Sequence, residues 1–310
     1  MIYRDLYQKI LIDPASMGND ELFIVSGYAS ATFLRRHLED IKEISSNIII
    51  NLLIGMPHKK NDHRAYLNIK DSYPNSFNGS YYIGTPGVHS KAYVWAKNNT
   101  PQIGFTGSAN YSQYGFFHNM QENQMNNDDP LEIKNYFDSL ISRSIKIDDY
   151  VLTNNDSIET VNLETSIPQG EIQWMQNKKI VIISWLDKQG RLPMKSGINW
   201  GQRPGREPNQ AYLPLRSDSR DEGFLPTRAL RFTLLTDDNK VFDCVVAQEG
   251  RKAIQTTNDN SELGKYLRNR LNVEEGKLVS KQDLMTYGRT DFLLKKLDDE
   301  TFFLDFSSQK

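Results

Sequence analysis

The sequence predicts two domains of different class: an α/β domain in the first half and a mostly β domain, patterned like a barrel, in the second. Three observations carry this expectation. Strand-like and helix-like runs alternate up to residue 145. Residues 146–170 then break the pattern with a polar, acidic stretch. From residue 180 onward, short β-type runs recur around one good helix. A length of 310 residues suits two domains, and 38% hydrophobic with 25% charged residues is a composition that can bury ordinary cores.

In the first half, Leu22 to Val25 reads as a buried strand running into Ser26-Gly27. Thr32 to Ile44 places Phe33, Leu34, Leu38 and Ile41 at helical spacing. Ile48 to Ile54 is a second buried strand, stopped by Gly55 and Pro57. His89 to Trp95 and Gln102 to Thr106 read as two more strands around the turn-rich Lys97-Asn98-Asn99-Thr100-Pro101. Leu131 to Ile145 reads as a helix with Leu131, Ile133, Tyr136, Phe137, Leu140 and Ile141 on or near one face. The stretch 146–170 carries Asp148, Asp149, Asp156, Glu159 and Glu164 against the single base Lys146. A plain linker is the simpler reading, and a carboxylate cover over a phosphate pocket is the alternative. In the second half, strands are expected at Ile180 to Trp185, Ala211 to Leu215, Leu230 to Leu235, Val241 to Ala247 and Phe302 to Phe306, with a helix at Ser261 to Leu271.

The net charge is −2, so no global positive field points to a polyanion. The charge is uneven, however: residues 171–310 hold 23 Lys/Arg against 20 Asp/Glu, and residues 1–170 hold 14 against 19. Any polyanion contact is therefore expected in the second half. Cys244 is the only cysteine, which excludes an intrachain disulfide and fits a buried strand thiol in a reduced, cytoplasmic setting. No leader-like run follows Met1, and the apolar run from Ile48 to Ile54 is far too short to span a bilayer, so no membrane partner is expected.

The chemistry concentrates between residues 89 and 123. In a strand, His89 and Lys91 of His89-Ser90-Lys91 project from one face, about 7 Å apart. An imidazole can attack phosphorus or protonate a leaving oxygen, and an ammonium beside it can stabilise phosphoryl oxygens. The pair alone fits an exposed strand face better. Gly104-Phe105-Thr106-Gly107-Ser108-Ala109-Asn110 changes the balance, because it reads as a strand ending in a tight small-residue turn. There Gly107 and Ser108 let the backbone approach a phosphate, and Asn110 supplies an amide donor. Twelve residues on, Glu122 of Gln121-Glu122-Asn123 could orient an imidazole. His58 and His63 flank Asp62, but their spacing on a Lys-rich loop is poor for a rigid zinc site.

His-x-Lys, then Gly-Ser-x-Asn, then Glu-Asn resembles the phospholipase D superfamily signature in its nuclease form. The fuller motif has an Asp five residues after the Lys, where this chain has Ala96. Similar one-motif nucleases lack that Asp and use a Glu, which directs attention to Glu122. The resemblance implies an α/β phospholipase D-like nuclease domain over residues 1–145 and a metal-free route through a phosphohistidine. One His attacks, a second protonates the leaving oxygen, and water finishes the reaction. This chain holds a single His-x-Lys, so the implied enzyme is a homodimer that brings His89 of two chains together.

Residues 171–310 need another explanation. Arg191 to Arg216 holds five bases and one acid, Glu207, in a loop rich in groups that pair with base edges. A second polar and basic segment follows at Lys281 to Asp291. This half resembles the B3-like DNA-recognition domain, a mostly β pseudobarrel, that follows the nuclease in NgoFVII-type and BfiI-type restriction endonucleases. Asn199-Trp200-Gly201-Gln202-Arg203, Pro208-Asn209-Gln210-Ala211-Tyr212, Asp259-Asn260-Ser261-Glu262-Leu263-Gly264 and Tyr287-Gly288-Arg289-Thr290 carry the likeness. It implies two clamp arms on double-stranded DNA, near residues 191–210 and 279–291. The candidate contacts are Arg191, Lys195, Asn199, Trp200, Gln202, Arg203, Arg206, Asn209, Gln210, Lys281, Asp283, Tyr287 and Arg289.

The expected activity is therefore that of a type II-like site-specific deoxyribonuclease in restriction-modification. The alternatives are a phospholipase D-type lipid hydrolase and a non-catalytic DNA-binding protein. Some relatives cut only with a helicase-like ATPase subunit. This chain has no Gly-x-x-x-x-Gly-Lys-Ser/Thr loop, so ATP would enter only through a separate motor.

Overall fold

The computed structural model describes residues 1–57, 62–117, 122–151, 173–174, 180–215, 223–227 and 230–308. The chain divides into two compact units, Met1–Ile158 and Glu159–Lys310.

The first unit is built on a seven-stranded sheet of β1 (Glu21–Ser26), β2 (Ile49–Ile54), β3 (Phe77–Tyr82), β4 (Lys91–Lys97), β5 (Thr100–Gly107), β6 (Met125–Asp128) and β7 (Ser144–Lys146), in the order β6-β5-β4-β1-β2-β3-β7. β1, β2 and β3 are parallel, whereas β4, β5 and β6 on one side and β7 on the other pair antiparallel. A π-helical segment, Tyr7–Ile12, leads into α1 (Asp13–Ser16); α2 (Ala31–Lys42), α3 (His63–Ser72), α4 (Gln113–Phe116) and α5 (Pro130–Ile141) follow. α2 and α3 make the crossovers that parallel strands require. Ser30 caps α2 by accepting the Phe33 N–H, and Asp129 caps α5 ahead of Pro130.

Strand alternation sorts the sheet's two faces. Phe23, Val25, Ala92, Val94 and Ala96 pack on Ile133, Phe137 and Leu140 of α5. Ala96 is fully buried in that layer, so a carboxylate at this position would lie in apolar surroundings, and the motif's missing Asp has a local reason. On the other face Trp95 donates its indole N–H to Ile10 O at 2.8 Å, and Tyr93 packs edge-on to Phe116. His37 of α2 lies in this layer with no exposure, its Nδ1 2.7 Å from the Tyr111 hydroxyl and its Nε2 3.4 Å from Leu11 O. Burial pushes its pKa down to about 3.

Sequence and structure part at several places. The expected helix ends at Ile141, and Ser144 and Ile145 belong to β7. Ile147 is buried, so order continues past residue 145 into the acidic stretch. Asp148 and Asp149 are exposed; Asp156, Glu159 and Glu164 lie outside the described residues. α3, β3 and β6 were not expected from the pattern. β3 reads Phe-Asn-Gly-Ser-Tyr-Tyr and β6 Met-Asn-Asn-Asp, too polar to show a strand period.

The second unit is mostly β. Among its described residues the strands are β8 (Gln173–Trp174), β9 (Ile180–Ser184), β10 (Leu213–Pro214), β11 (Arg231–Thr236), β12 (Val241–Ala247), β13 (Ala253–Thr256), β14 (Asp291–Lys296) and β15 (Thr301–Asp305), in the order β10-β13-β12-β11-β15-β14-β9-β8. Among the described strands only β11 and β15 pair in parallel. Alternate residues such as Val181, Phe232, Cys244, Phe292 and Phe302 face one core, closed by Leu263 and Leu267 of α6 (Ser261–Leu271) and Leu284 of α7 (Lys281–Tyr287). The Cys244 thiol is fully buried in that core, and burial pushes its pKa up.

One buried cation ties α6 to the loop before β10. Arg268 has no exposure, and its guanidinium donates to Lys277 O (2.9 Å), Gly264 O (3.2 Å), and Asn209, Ile198 and Pro208 O (3.4 Å each). Gly264 permits the approach, since a Cβ there would fall against Asn209 O.

Two outcomes test these packing arguments. Arg268→Met leaves five carbonyls without this donor and should destabilise the second unit by about 2–4 kcal/mol. It should also speed amide exchange at residues 197–210; an unchanged urea midpoint with unchanged exchange would refute the tie. For His37 the folded pKa lies below the unfolded 6.5, so the unfolded chain binds the extra proton. Its contribution is complete above pH 6.5 and is lost as the pH falls toward 3, at most on the order of 5 kcal/mol. His37→Gln should flatten the acid limb of stability against pH; an unaltered limb would contradict this.

Candidate active site and DNA-binding arms

Strand register brings four chain segments to one end of the first sheet. Ser26 of β1 pairs with Lys91 of β4, Ala92 with Thr106 of β5, and Gly107 with Met125 of β6. His89, Lys91, Ser108, Asn110 and Glu122 therefore all lie at or just beyond this end.

β4 begins at Lys91, so His89 sits in the lead-in rather than in the strand. The Lys91 side chain folds back, with Nζ 3.1 Å from His89 Nε2, 3.2 Å from Nδ1 and 2.6 Å from the His89 carbonyl. The ammonium and imidazole are thus in contact, closer than strand spacing alone implies. Burial pushes the Lys91 pKa down from its ordinary value. The His89 ring is exposed. Gly27 makes room for it: a Cβ there would lie 2.8 Å from His89 Cδ2. Tyr28 stands edge-on to the ring, with centroids 5.7 Å apart at 79°.

Asn110 reaches the same place through its Oδ1, which accepts the Tyr28 N–H at 3.3 Å. That acceptor bond fixes the amide's sense and leaves its NH2 group to donate. The loop is pinned from below, where the buried Tyr93 hydroxyl donates to Ala109 O at 2.7 Å and the Tyr111 N–H donates to Ser26 Oγ at 2.9 Å.

Ser108 and Gly107 do other work than the motif suggests. The Ser108 hydroxyl donates to Asn123 Oδ1 at 3.0 Å and accepts the Gln124 N–H at 3.0 Å, joining two loops. A Cβ on Gly107 would meet Gln124 O at 2.1 Å, so this glycine is required by the approach of β6. Glu122 is exposed and makes no hydrogen bond to His89 among the described residues. It lines a cavity of about 620 Å³ with Ser108, Asn123 and Tyr3, next to the His-Lys pair in the order of the sheet. A His–Glu relay within one chain is not what this geometry shows.

The other described histidines are core residues. His37 is fully buried, and His63 is 2% exposed with its Nδ1 3.2 Å from the Tyr81 hydroxyl. His58 and His118 lie outside the described residues. Among those described, no cluster of three or more His, Cys, Asp or Glu could hold a metal ion. Gly27 and Tyr28 escaped the sequence reading; the signal was the Ser26-Gly27 that ends a buried strand.

In the second unit the candidate DNA contacts separate into two groups. Several are engaged inside the domain, which corrects the reading of them as base readers. Asn199, 1% exposed, donates to Pro193 O and Val279 O and accepts the Val279 N–H. Asn209 is paired with Glu207 and the Gly276 N–H, and Gln202 donates to Pro208 O and Gly276 O. Asp283 forms a capping box with Ser280 on α7. Arg289, 5% exposed, bridges Asp291 and Asp305, while the Tyr287 hydroxyl donates to Phe306 O and accepts from Arg270. Trp200 is 8% exposed against Tyr212.

The second group faces solvent. Arg191, Lys195, Arg203 and Arg206 are exposed, and Gln210 and Lys281 are half-buried. Arg191 pairs with Asp187, and Arg203 Nε donates to Lys195 O at 2.7 Å. The Arg206 guanidinium lies 3.9 Å over the Trp200 ring, with one nitrogen 3.0 Å from Gln210 Oε1, and is thereby held in place. Lys281 Nζ donates to Gly190 O, tying α7 to the loop that starts the first arm.

Among the described residues no helix is long and apolar enough to cross a membrane. A comparison with curated proteins found no match. Among solved structures the chain is similar to NucT from Helicobacter pylori, at 18% identity over 47% of this chain and 96% of that one, TM-score 0.33. It is similar to Nuc from Salmonella typhimurium, a phospholipase D family member, at 12% identity over 44% and 87%, TM-score 0.32. It is also similar to the polyphosphate kinase from Porphyromonas gingivalis at 12% identity, covering 47% of this chain but only 23% of the kinase, TM-score 0.33. Residues 4–153 match the family described as the NgoFVII restriction endonuclease N-terminal PLD domain, and residues 173–298 match the NgoFVII C-terminal B3-like DNA-binding domain. With both of its domains present and in order, the chain belongs to the NgoFVII restriction endonuclease family, a phospholipase D-fold nuclease domain followed by a mostly β, B3-like DNA-binding domain.

Proposed function

We propose that this protein is a site-specific, metal-independent DNA endonuclease that works as a homodimer through a phosphohistidine. The observation that carries the reading is the exposed His89 imidazole with the Lys91 ammonium 3.1 Å away and the Asn110 amide held beside it, in a chain that also carries a B3-like DNA-binding domain.

A ring nitrogen of His89 attacks the scissile phosphorus and forms a P–N bond. The P–O bond to the leaving deoxyribose oxygen breaks, and the imidazolium of His89 from a second copy gives that oxygen its proton. Water then attacks the phosphohistidine, the second imidazole takes the proton, and the first imidazole departs. Lys91 and the Asn110 NH2 group hold the non-bridging oxygens as charge builds on them. Among the described residues the other histidines, His37 and His63, are buried and neither can serve as the second acid; with a single His-x-Lys in the chain, this favours a second copy as its source. Glu122 stands on the rim, where a carboxylate can meet a group brought by the second copy. The reaction needs no cofactor in this chain, and any ATP dependence would come from a separate motor subunit.

Recognition belongs to the second unit. Arg191, Lys195, Arg203, Arg206, Gln210 and Lys281 form the DNA-facing set, with the first arm supplying most of it. Asn199, Asn209, Asp283 and Arg289 shape the arms instead.

Plasmid cleavage in EDTA tests the chemistry. The wild type should cut, and His89→Ala should bind DNA but leave it intact; cutting by the variant, or loss of wild-type cutting in EDTA, would refute the mechanism. Co-expressed wild type and His89→Ala should yield mixed dimers with no cleavage, so that activity follows the fraction of wild-type pairs. Activity that follows the fraction of wild-type chains would refute the shared site. Arg206→Ala should lower discrimination between cognate and random DNA by about 1–3 kcal/mol at one base position. An equal loss on both DNAs, with a salt slope smaller by about one, would make Arg206 a phosphate contact.

A further inference from the structure

We propose that Tyr28 is a positioning residue for the attacking imidazole, holding His89 in the orientation from which it reaches phosphorus. The inference rests on His89 being the nucleophile, as argued above.

An imidazole that attacks must present one nitrogen in line with the leaving oxygen, and a ring free to turn about its two side-chain bonds does so only part of the time. In many hydrolases a carboxylate bonded to the second nitrogen supplies the restraint. His89 has no such partner among the described residues; Lys91 alone is hydrogen-bonded to its nitrogens. Beyond that bond, the restraint within one chain is steric. The Gly27 backbone closes the Cδ2 edge, with a virtual Cβ only 2.8 Å from that atom. The Tyr28 ring stands at 79° to the imidazole, centroids 5.7 Å apart, the preferred edge-to-face geometry of an aromatic pair. Lys91 lies at the side of the ring that carries its nitrogens. The three groups leave the imidazole little freedom.

The Tyr28 backbone is itself fixed. Its N–H donates to Asn110 Oδ1 and its carbonyl accepts the Ser26 hydroxyl, which in turn accepts the Tyr111 N–H. One residue therefore sets both the nucleophile and the amide that receives the phosphoryl oxygen. The first acts through the side chain and the second through the backbone, so substitution separates them.

Single-turnover cleavage of plasmid DNA by excess full-length enzyme reads the effect. Tyr28→Ala should lower the limiting rate about 10- to 100-fold, with unchanged affinity in a mobility-shift titration and an unchanged melting temperature. Tyr28→Phe should cut at the wild-type rate. Should Tyr28→Ala fail to fold, Tyr28→Leu takes its place in the same comparison. A wild-type rate in the truncated variant would overturn the proposal. So would weakened binding with an unchanged limiting rate, which would make the ring a DNA contact, and so would an equal loss in Tyr28→Phe, which would make the hydroxyl the working group. His89→Ala run in parallel separates the two readings. If it cuts, the nucleophile assignment fails and the Tyr28 inference with it. If it is inert while Tyr28→Ala is unimpaired, only the Tyr28 inference fails.

Discussion

The antiparallel pairing of β1 with β4 is the constraint from which the catalytic end follows. It sets Ser26 opposite Lys91 and so places Gly27 and Tyr28 beside His89. A one-residue slip would turn Lys91 to the α5 face and put Tyr93 and Trp95 among Phe137 and Leu140. The buried alternation on both faces forbids that slip. The position of an exposed histidine is thus specified by apolar packing several residues away. The Ser26 hydroxyl extends the constraint by linking the end of β1 to Tyr111 and so to Asn110.

What was legible in the sequence follows from how much information each element carries in its own period. β1, β2, α2 and α6 are apolar at the right spacing, and their expected bounds lie within a residue or two of the structure. β3 and β6 are polar strands completed by neighbours, and no local period reveals them. The His89, Lys91 and Asn110 cluster was legible because its chemistry needs fixed residue types at fixed separations. Tyr28 was not, because its contact with His89 spans 61 residues of sequence and exists only through strand pairing. Ser108 and Gly107 show the converse. They fit a phosphate-binding turn, yet their own environments are explained by the loop to β6.

The second unit shows the same limit more sharply. Asparagine and glutamine amides pair with adenine edges, and they pair equally well with a peptide's N–H and C=O. Asn199 and Asn209 use that second ability, bridging to Val279 and Gly276 and holding the arm to the segment ahead of α7. Residue type alone could not separate the two uses; burial does. The cations that remain exposed on the first arm stand on a base fixed by Arg268, a charge whose five bonds all go to backbone carbonyls of or near that arm. Burial lowers its pKa, and nearby Glu207 and Glu275 oppose that shift. If this arm meets DNA as proposed, an arm so held is ordered beforehand and less ordering entropy opposes binding.

The layer beneath the catalytic pair has a matching electrostatic logic. Burial raises the Tyr93 and Tyr111 hydroxyls well above their usual range and holds His37 down to about 3, so all three stay neutral at working pH. The floor under Asn110 therefore contributes dipoles and shape but no net charge. In the proposed reaction the charges that meet the phosphate come from the exposed end of the sheet, chiefly Lys91. A neutral floor does not compete with the substrate for that ammonium, and it does not favour binding the ground-state phosphate over the transition state. On the proposed mechanism, discrimination between the two is left to the placement of Lys91, Asn110 and the imidazole itself. Uncharged groups such as Gly27 and Tyr28 would then act, on that mechanism, by setting where the imidazole stands.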